Sequence, residues 1–391
     1  MSLRGPVLTF RVACEQVVES TVNHCHGDKL LRHLDYTADQ HPLVLQLGGS
    51  DPASLAAAAA TASTFGYDEL NLNCGCPSPR VAGRGCFGAA LMTSPAQVAD
   101  ACAAMRHASG LPVSVKCRIG VDDIDSYDQL CTFVDTVASV GGVTHFVVHA
   151  RKALLDGLSP EDNRRVPPLH YERVYALCRD FPELQFTLNG GLQSLTHVHA
   201  ALAAHTACDA PPLVGVMLGR AAWERPWDVL ANVDWAVYGD AAGNPATSRR
   251  QVIAAYCAYA DTIRDAEAKY HDDDASGSDG AKSRFGKGHP RVRALVKPML
   301  NLFTGVHRGK MWRAVLDEAL LKHSRLSEEQ QRETRVTDLV EASLRVLPAD
   351  ALDAPPTVIA VADEEDVAAA DPRHVLRHGF AAVAPEPALI R

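Results

Sequence analysis

No two cysteines in this chain are spaced Cys-x-x-Cys, although eleven of them lie scattered from Cys14 to Cys257. Their closest approach along the chain is Cys74 and Cys76. Such a distribution argues against a secreted disulfide framework or a zinc site, and it favours a reducing compartment. No apolar run reaches the roughly 18 to 20 residues that span a bilayer, and the opening Met1-Ser2-Leu3-Arg4-Gly5-Pro6 lacks an apolar signal core. A soluble cytoplasmic protein with no membrane role is therefore expected, an organelle being left open. Positive charge is not in excess either: 38 Lys and Arg face 47 Asp and Glu, for a formal charge of −9. Any surface for nucleic acid must then be local. With 391 residues and 47% hydrophobic composition, the chain exceeds one average domain and suits an α/β barrel with an added module.

What the chain does have is a regular alternation of strand and helix. Strands are predicted from Val7, Leu43, Glu69, Val113, His145, Gln185 and Leu213, the first running to Val12. Between them lie helical stretches: Asp28 to Leu34, Ser54 to Ser63 behind Ser50-Asp51-Pro52 as a cap, Pro95 to His107, Tyr127 to Val140, Tyr171 to Arg179 and Leu195 to Ala203. This order implies a parallel sheet, most simply a TIM barrel. A closed (β/α)8 barrel needs eight strands, and seven are counted. Either one unit is misread or the first βα unit is missing.

Residues 1–240 thus form the expected barrel domain. From Thr247 to Glu267 apolar spacing predicts a long helix opening a helical domain over 247–345. Within it the acidic, low-complexity stretch from Tyr270 is expected to be a disordered insertion over 270–283. From Lys282 to Arg325 eleven basic residues face only Asp317 and Glu318. A solvated helix face is the plain explanation of that run, and a phosphate-backbone surface its competitor. The tail over 346–391 is rich in Ala, Pro and Asp and is expected to be disordered.

The candidate site follows from where strands end. Leu70-Asn71-Leu72-Asn73-Cys74-Gly75-Cys76-Pro77 starts as a strand and breaks into a Gly/Pro loop, so Asn73 and Cys76 stand where barrel enzymes gather their chemistry. A lone Cys beside Gly is more often a small buried hydrophobe than a reagent. Other strands also end on polar residues: Gln46, Lys116, His149 with Arg151, Asn189-Gly190-Gly191 and Gly219-Arg220. Together they describe a polar floor under a ligand. The two glycine loops follow the last two strands, where such barrels bind phosphate through backbone N–H groups, although Gly alone is chiefly a turn marker.

Read together, Gln46-Leu47-Gly48-Gly49-Ser50-Asp51-Pro52, Gly75-Cys76-Pro77-Ser78, Val115-Lys116-Cys117-Arg118-Ile119-Gly120, His149-Ala150-Arg151-Lys152, Asn189-Gly190-Gly191 and Gly219-Arg220 resemble the flavin-dependent tRNA-dihydrouridine synthases, in particular the bacterial A-type branch. Met299-Leu300-Asn301-Leu302-Phe303 and Met311-Trp312-Arg313 resemble that branch's helical domain. The resemblance implies an enzyme, expected as a monomer, that uses FMN and NADPH to reduce a D-loop uridine of tRNA. Cys76 resembles the family's proton donor, and Asn73 and Arg151 its substrate contacts. Gln46, Lys116, His149, Asn189, Gly190, Gly191, Gly219 and Arg220 resemble its cofactor-binding set. Cys74, Cys86 and Cys117 are expected to be structural, and His145 a hydrogen-bonded barrel histidine. Two departures stand out: the family's first strand, of Ala-Pro-Met type, is absent, and one extra residue lies between Cys76 and Phe87. The first would leave two open sheet edges and a gapped flavin bed, as in a truncated gene model or an inactive tRNA-binding paralogue. A different phosphate-binding barrel, with Lys116 as a Schiff-base former, is the remaining alternative.

Overall fold

The computed structural model describes residues 12–13, 17–77, 87–240, 245–274 and 292–356. Their strands form one parallel sheet: β1 (Val12–Ala13), β2 (Val17–Val18), β3 (Leu43–Gly48), β4 (Glu69–Cys74), β5 (Val113–Arg118), β6 (His145–His149), β7 (Gln185–Asn189) and β8 (Gly215–Met217). β1 pairs with Leu43 and Val44, and β2 with Leu47 and Gly48, so the two are successive pieces of one stave. From that first stave the order runs through β3 straight to β8, a TIM-barrel sequence of seven staves in all. Among the described residues no ladder joins β8 back to the first stave.

Of the expected first strand, Val7 to Arg11 lie outside the described residues and Val12 is in the stave; among the described residues its pairing is carried by Val12–Ala13 and Val17–Val18. A two-residue β-branched pair leading directly into the helix Glu19–His24 is too short to show a period. The other boundaries agree to within two residues or so. Asp51 caps Pro52–Ser63, its carboxylate accepting from the Ser54 N–H at 2.7 Å.

Strand alternation sorts the barrel into two layers. Leu45, Leu47, Leu70, Leu72, Val113, Val115, Phe146, Val148, Phe186 and Leu188 share a core with Leu55, Ala58, Val98 and Met105 of the covering helices. Burial of this kind contributes about 25 cal/mol per Å² of apolar surface. Cys74 and Cys117 lie in the same layer, fully buried. The alternate positions are polar and join across strands. Gln46 Nε2 donates to Asn71 Oδ1 at 2.8 Å, Asn71 Nδ2 to Ser114 Oγ at 2.8 Å, and Ser114 Oγ to Glu69. His145 lies with Nδ1 3.7 Å from Glu69 and pairs through Nε2 with Thr187 Oγ1 at 2.9 Å. This belt crosses β3 to β7 below the strand ends, and each link satisfies polar groups that would otherwise be costly to bury.

A second core gathers Ile253, Cys257 and Ala260 of the helix Arg249–Asp274 with Val296, Met299, Phe303, Trp312, Leu316, Val340, Leu344 and Leu352. Arg249 links it to the barrel side: its guanidinium lies 4.8 Å from the Trp227 ring and 5.8 Å from Phe303, and it donates to the carbonyls of Leu302 and Ala351. Two expectations change here. Tyr270–Asp274 continue the helix rather than open the insertion, while residues 275–291 lie outside the described ones. The tail begins ordered: Leu347 and Leu352 are buried, and Ala349–Asp353 is helical. The apolar spacing there spans one short turn, too little to outweigh the Ala/Pro/Asp composition. Residues 357–391 lie outside the described ones. Among the described residues no helix is long and apolar enough to cross a membrane.

Asp261, 2% exposed, receives the N-terminus of the helix Val336–Leu344. Burial alone would raise its pKa, but Thr337 Oγ1 at 2.6 Å, Val336 N at 2.7 Å, Thr337 N at 3.3 Å and Arg335 at 3.3 Å outweigh it. The carboxyl is held below its usual range. A folded pKa below the unfolded value of about 3.9 means stability that is present above about pH 4 and lost as pH falls through the folded value. We therefore expect the urea midpoint of this domain to drop with acidification. Asp261→Asn should flatten that dependence and destabilise at neutral pH by about 1–3 kcal/mol.

Candidate active site

The carboxyl ends of β3 to β8 open into a cavity of about 430 Å³, within the roughly 300–1,000 Å³ of small-molecule sites. Gln46, Asn73, Cys76, Lys116, His149, Asn189, Gly190, Gly191, Gly219 and Arg220 all line it. Arg151 does not: 7% exposed, it turns Nη1 to the Pro167 carbonyl, and its Nε is buried without a hydrogen-bond partner. Five cations in the wall, Lys116, Arg118, Arg164, Arg220 and Arg225, face a single carboxylate, Glu224. The potential is strongly positive and favours an anionic ligand.

The Cys76 loop is built by Asn73. Its Oδ1 accepts from the N–H of Gly75 at 2.9 Å and of Cys76 at 3.1 Å, an Asx-type turn. The Cys76 carbonyl in turn accepts from Ala89 N at 2.9 Å. Residues 78–86, including Cys86 and the expected extra residue, lie outside the described ones. Asn73 and Lys116 face each other in register across β4 and β5, as do His149 and Asn189 across β6 and β7. Lys116 Nζ reaches Asn189 Oδ1 at 3.3 Å, and Asn189 Nδ2 donates to the Met217 carbonyl at 2.8 Å.

The glycine loops are set by space. Gly190 has φ +112°, and a Cβ there would stand 2.5 Å from His149 Cδ2; Gly191 has φ +71° and would meet Leu169 at 2.6 Å. Only glycine brings this backbone so close to its neighbours without strain. At Gly219 a Cβ would meet nothing within 4 Å, so that backbone borders open space, next to Arg220. A phosphate-bearing flavin fits this donor set: two glycine loops with flanking cations, and a ring-sized cavity edged by Gln46 and Lys116.

Burial pushes His149 well below its usual pKa, and Arg118, Lys116, Arg151 and Arg220 add to the effect, so the imidazole is neutral at physiological pH. Burial, then Arg118, brings Lys116 down to about 8. Lys116 is thus charged below about pH 8 and neutral above it. Affinity for an anionic ligand, probed with added FMN, should weaken above that point by up to about tenfold per pH unit, and equilibrium titration of Lys116→Met should show a flatter profile.

Three of the wall cations were given no role by the sequence. Arg118 stands two residues after Lys116 and shares its strand face, so the strand period could have found it. Arg164 sits in the turn Asp162–Arg164, where no period exists. Arg225 follows the five-residue helix Arg220–Glu224.

A parallel barrel whose strand ends surround a cation-lined cavity has the layout of the barrel enzymes, with a site suited to an anionic ligand. The family model described as dihydrouridine synthase (Dus) matches residues 9–268, and the chain belongs to that family of enzymes. It is 42% identical over 304 residues to a Shigella flexneri protein named tRNA-dihydrouridine(20/20a) synthase, covering 78% of each chain. It is equally identical over the same length to the protein of that name from Escherichia coli strain K12, covering 78% of this chain and 77% of that one. With the Vibrio vulnificus protein it shares 46% over 239 residues, 61% of this chain and 68% of that one. A solved structure titled as a probable tagatose 6 phosphate kinase aligns at 11% identity with a TM-score of 0.34, over 81% of this chain and 83% of that one, too distant to bear on fold or activity.

Proposed function

We propose that this chain reduces a D-loop uridine of tRNA to dihydrouridine, with FMN as cofactor and NADPH as reductant. The observation that carries the reading is one cavity that brings Cys76, Lys116, His149 and both glycine loops together. The family and the tRNA substrate named for its relatives support it. Asn189, Gly190, Gly191, Gly219 and Arg220 would hold the phosphate end of FMN, and Gln46 and Lys116 its ring. Reducing the uracil C5=C6 bond takes a hydride at C6 and a proton at C5, and bound reduced FMN supplies the hydride.

The remaining steps belong to the chain. The Cys76 thiol carries the proton to C5, its loop held in place by Asn73 and Ala89. A thiol still has a proton to give at neutral pH, unlike an exposed carboxyl. His149, kept neutral, offers hydrogen bonds but no charged acid. Asn73, whose Oδ1 holds the loop, would border the base edge from the end of β4. Arg151 would have to leave Pro167 to touch substrate. The base must quit the RNA stack to enter, and the helical domain holds the RNA body. Of its basic run, Arg293 pairs with Asp317 at 2.8 Å and Arg313 binds the Leu300 carbonyl and Asn301. Lys282, Arg284, Lys287 and Arg291 lie outside the described residues.

The test is direct. Purified protein should be yellow and, given NADPH and an unmodified tRNA transcript, should form dihydrouridine detectable by mass spectrometry of the digested RNA. Colourless protein that binds tRNA without modifying it would overturn the proposal in favour of an inactive tRNA-binding relative.

A further inference from the structure

Arg118 ends β5 with 3% of the residue exposed. It is a buried cation whose hydrogen-bond partners are three backbone carbonyls. Nε donates to Gly75 O at 3.0 Å, and Nη1 donates to Lys152 O at 3.1 Å and to Asn163 O at 2.8 Å. The three carbonyls come from two loops, the one after β4 and the long one that joins β6 to the helix Tyr171–Asp180. Gly75 adjoins Cys76, Lys152 follows β6, and Asn163 lies in the turn that brings Arg164 to the wall. The second loop is braced in turn: Asn163, fully buried, exchanges hydrogen bonds of 2.8 Å with the Leu154 backbone, and Lys152 pairs with Asp125 at 2.8 Å.

Among the described residues no carboxylate pairs with Arg118. Charge buried without a counter-ion is costly, and two more cations stand close by. Burial pushes the guanidinium down to about 10; of the neighbouring charges Cys76 favours the cation, while Arg151 and Arg164 oppose it. Its Nε is bonded to the carbonyl of the residue before Cys76, so an anion formed at Cys76 would arise beside this charge.

We propose that Arg118 is a positioning residue for proton delivery: it fixes the Gly75–Cys76 loop through the Gly75 carbonyl and supplies the positive charge beside which the Cys76 thiolate is left. The inference rests on Cys76 as the proton donor. In that step the S–H bond breaks, its electron pair stays on sulfur, and the proton forms the new C5–H bond while the hydride completes C6–H. A cation already in place needs no rearrangement when the charge appears.

The test uses full-length holoenzyme with Arg118→Gln, which keeps an N–H donor without charge, and Arg118→Lys, which keeps charge without the planar fork. Alkylation of Cys76 by iodoacetamide near neutral pH reads the thiolate directly, and should slow by about tenfold in the Gln variant and much less in the Lys variant. Single-turnover uridine reduction in the Gln variant should fall by about a hundredfold more than flavin reduction by NADPH does. A merely structural role would slow both half-reactions alike. Unchanged alkylation in the Gln variant would overturn the proposal. If that variant does not fold, the Lys variant decides: near-normal alkylation with slowed uridine reduction supports the proposal, and alkylation slowed tenfold despite the retained charge overturns it. Alkylation reports on Arg118 even if Cys76→Ala keeps full turnover, an outcome that would remove the donor reading instead.

Discussion

Cys76→Ala is expected to lower uridine reduction by about 10²–10⁴-fold, the usual contribution of a positioned acid, while flavin and RNA still bind. The size of the effect depends on what else could deliver the proton. His149 is neutral, pressed by burial and by four surrounding cations, so no imidazolium stands ready. Lys116 keeps its proton up to about pH 8 but directs its amine to Asn189. Where neither replaces the thiol, only the transition state loses an interaction, so kcat falls rather than binding. Single-turnover dihydrouridine formation by the flavin-loaded variant is the measurement. Full turnover would pass the acid role to Lys116.

Trp312→Ala is expected to destabilise the helical core by about 3–5 kcal/mol, the range for removing a large buried aromatic. Trp312 is fully buried, packs edge-on against Phe303 at 4.8 Å between centroids, and donates Nε1–H to Ser343 Oγ at 3.0 Å. Ser343 also donates to the Val340 carbonyl at 2.6 Å, so it keeps a partner; the loss is mainly cavity and contact. Because the barrel has its own core, the variant should show an early partial unfolding transition and weakened RNA affinity, with NADPH-driven flavin reduction retained. A single lowered transition that takes flavin reduction with it would mean that the two cores melt as one.

Much of this was legible in the chain because the signals were local. Asp51-Pro52 announced a helix start, the apolar runs from Leu43 to Leu213 gave the sheet, and polar strand ends gave ten of the eleven site residues a place on one wall. Arg151 was misplaced because sequence puts it two residues beyond His149 but cannot show which way its guanidinium turns. Arg118 was quoted in a motif and given no role, since three carbonyls from two loops meet only in the folded chain. The Val17–Val18 piece of the first stave and the short helix Ala349–Asp353 were hidden for a simpler reason. Two-residue strands and single-turn helices carry too few residues for any period, and tertiary contact decides them.

The polar belt inside the barrel also acts as a register key. Gln46, Asn71 and Ser114 are in-register partners whose side chains are joined across β3, β4 and β5. A one-residue slip of any strand would turn its polar side chain outward into the helix-facing apolar layer and bring a Leu or Val inward against an amide. Misaligned sheets would therefore lose on both layers at once. A barrel filled only with aliphatic side chains would tolerate such a slip far better, so the belt lets the folding chain tell correct pairing from near-correct pairing before any ligand arrives.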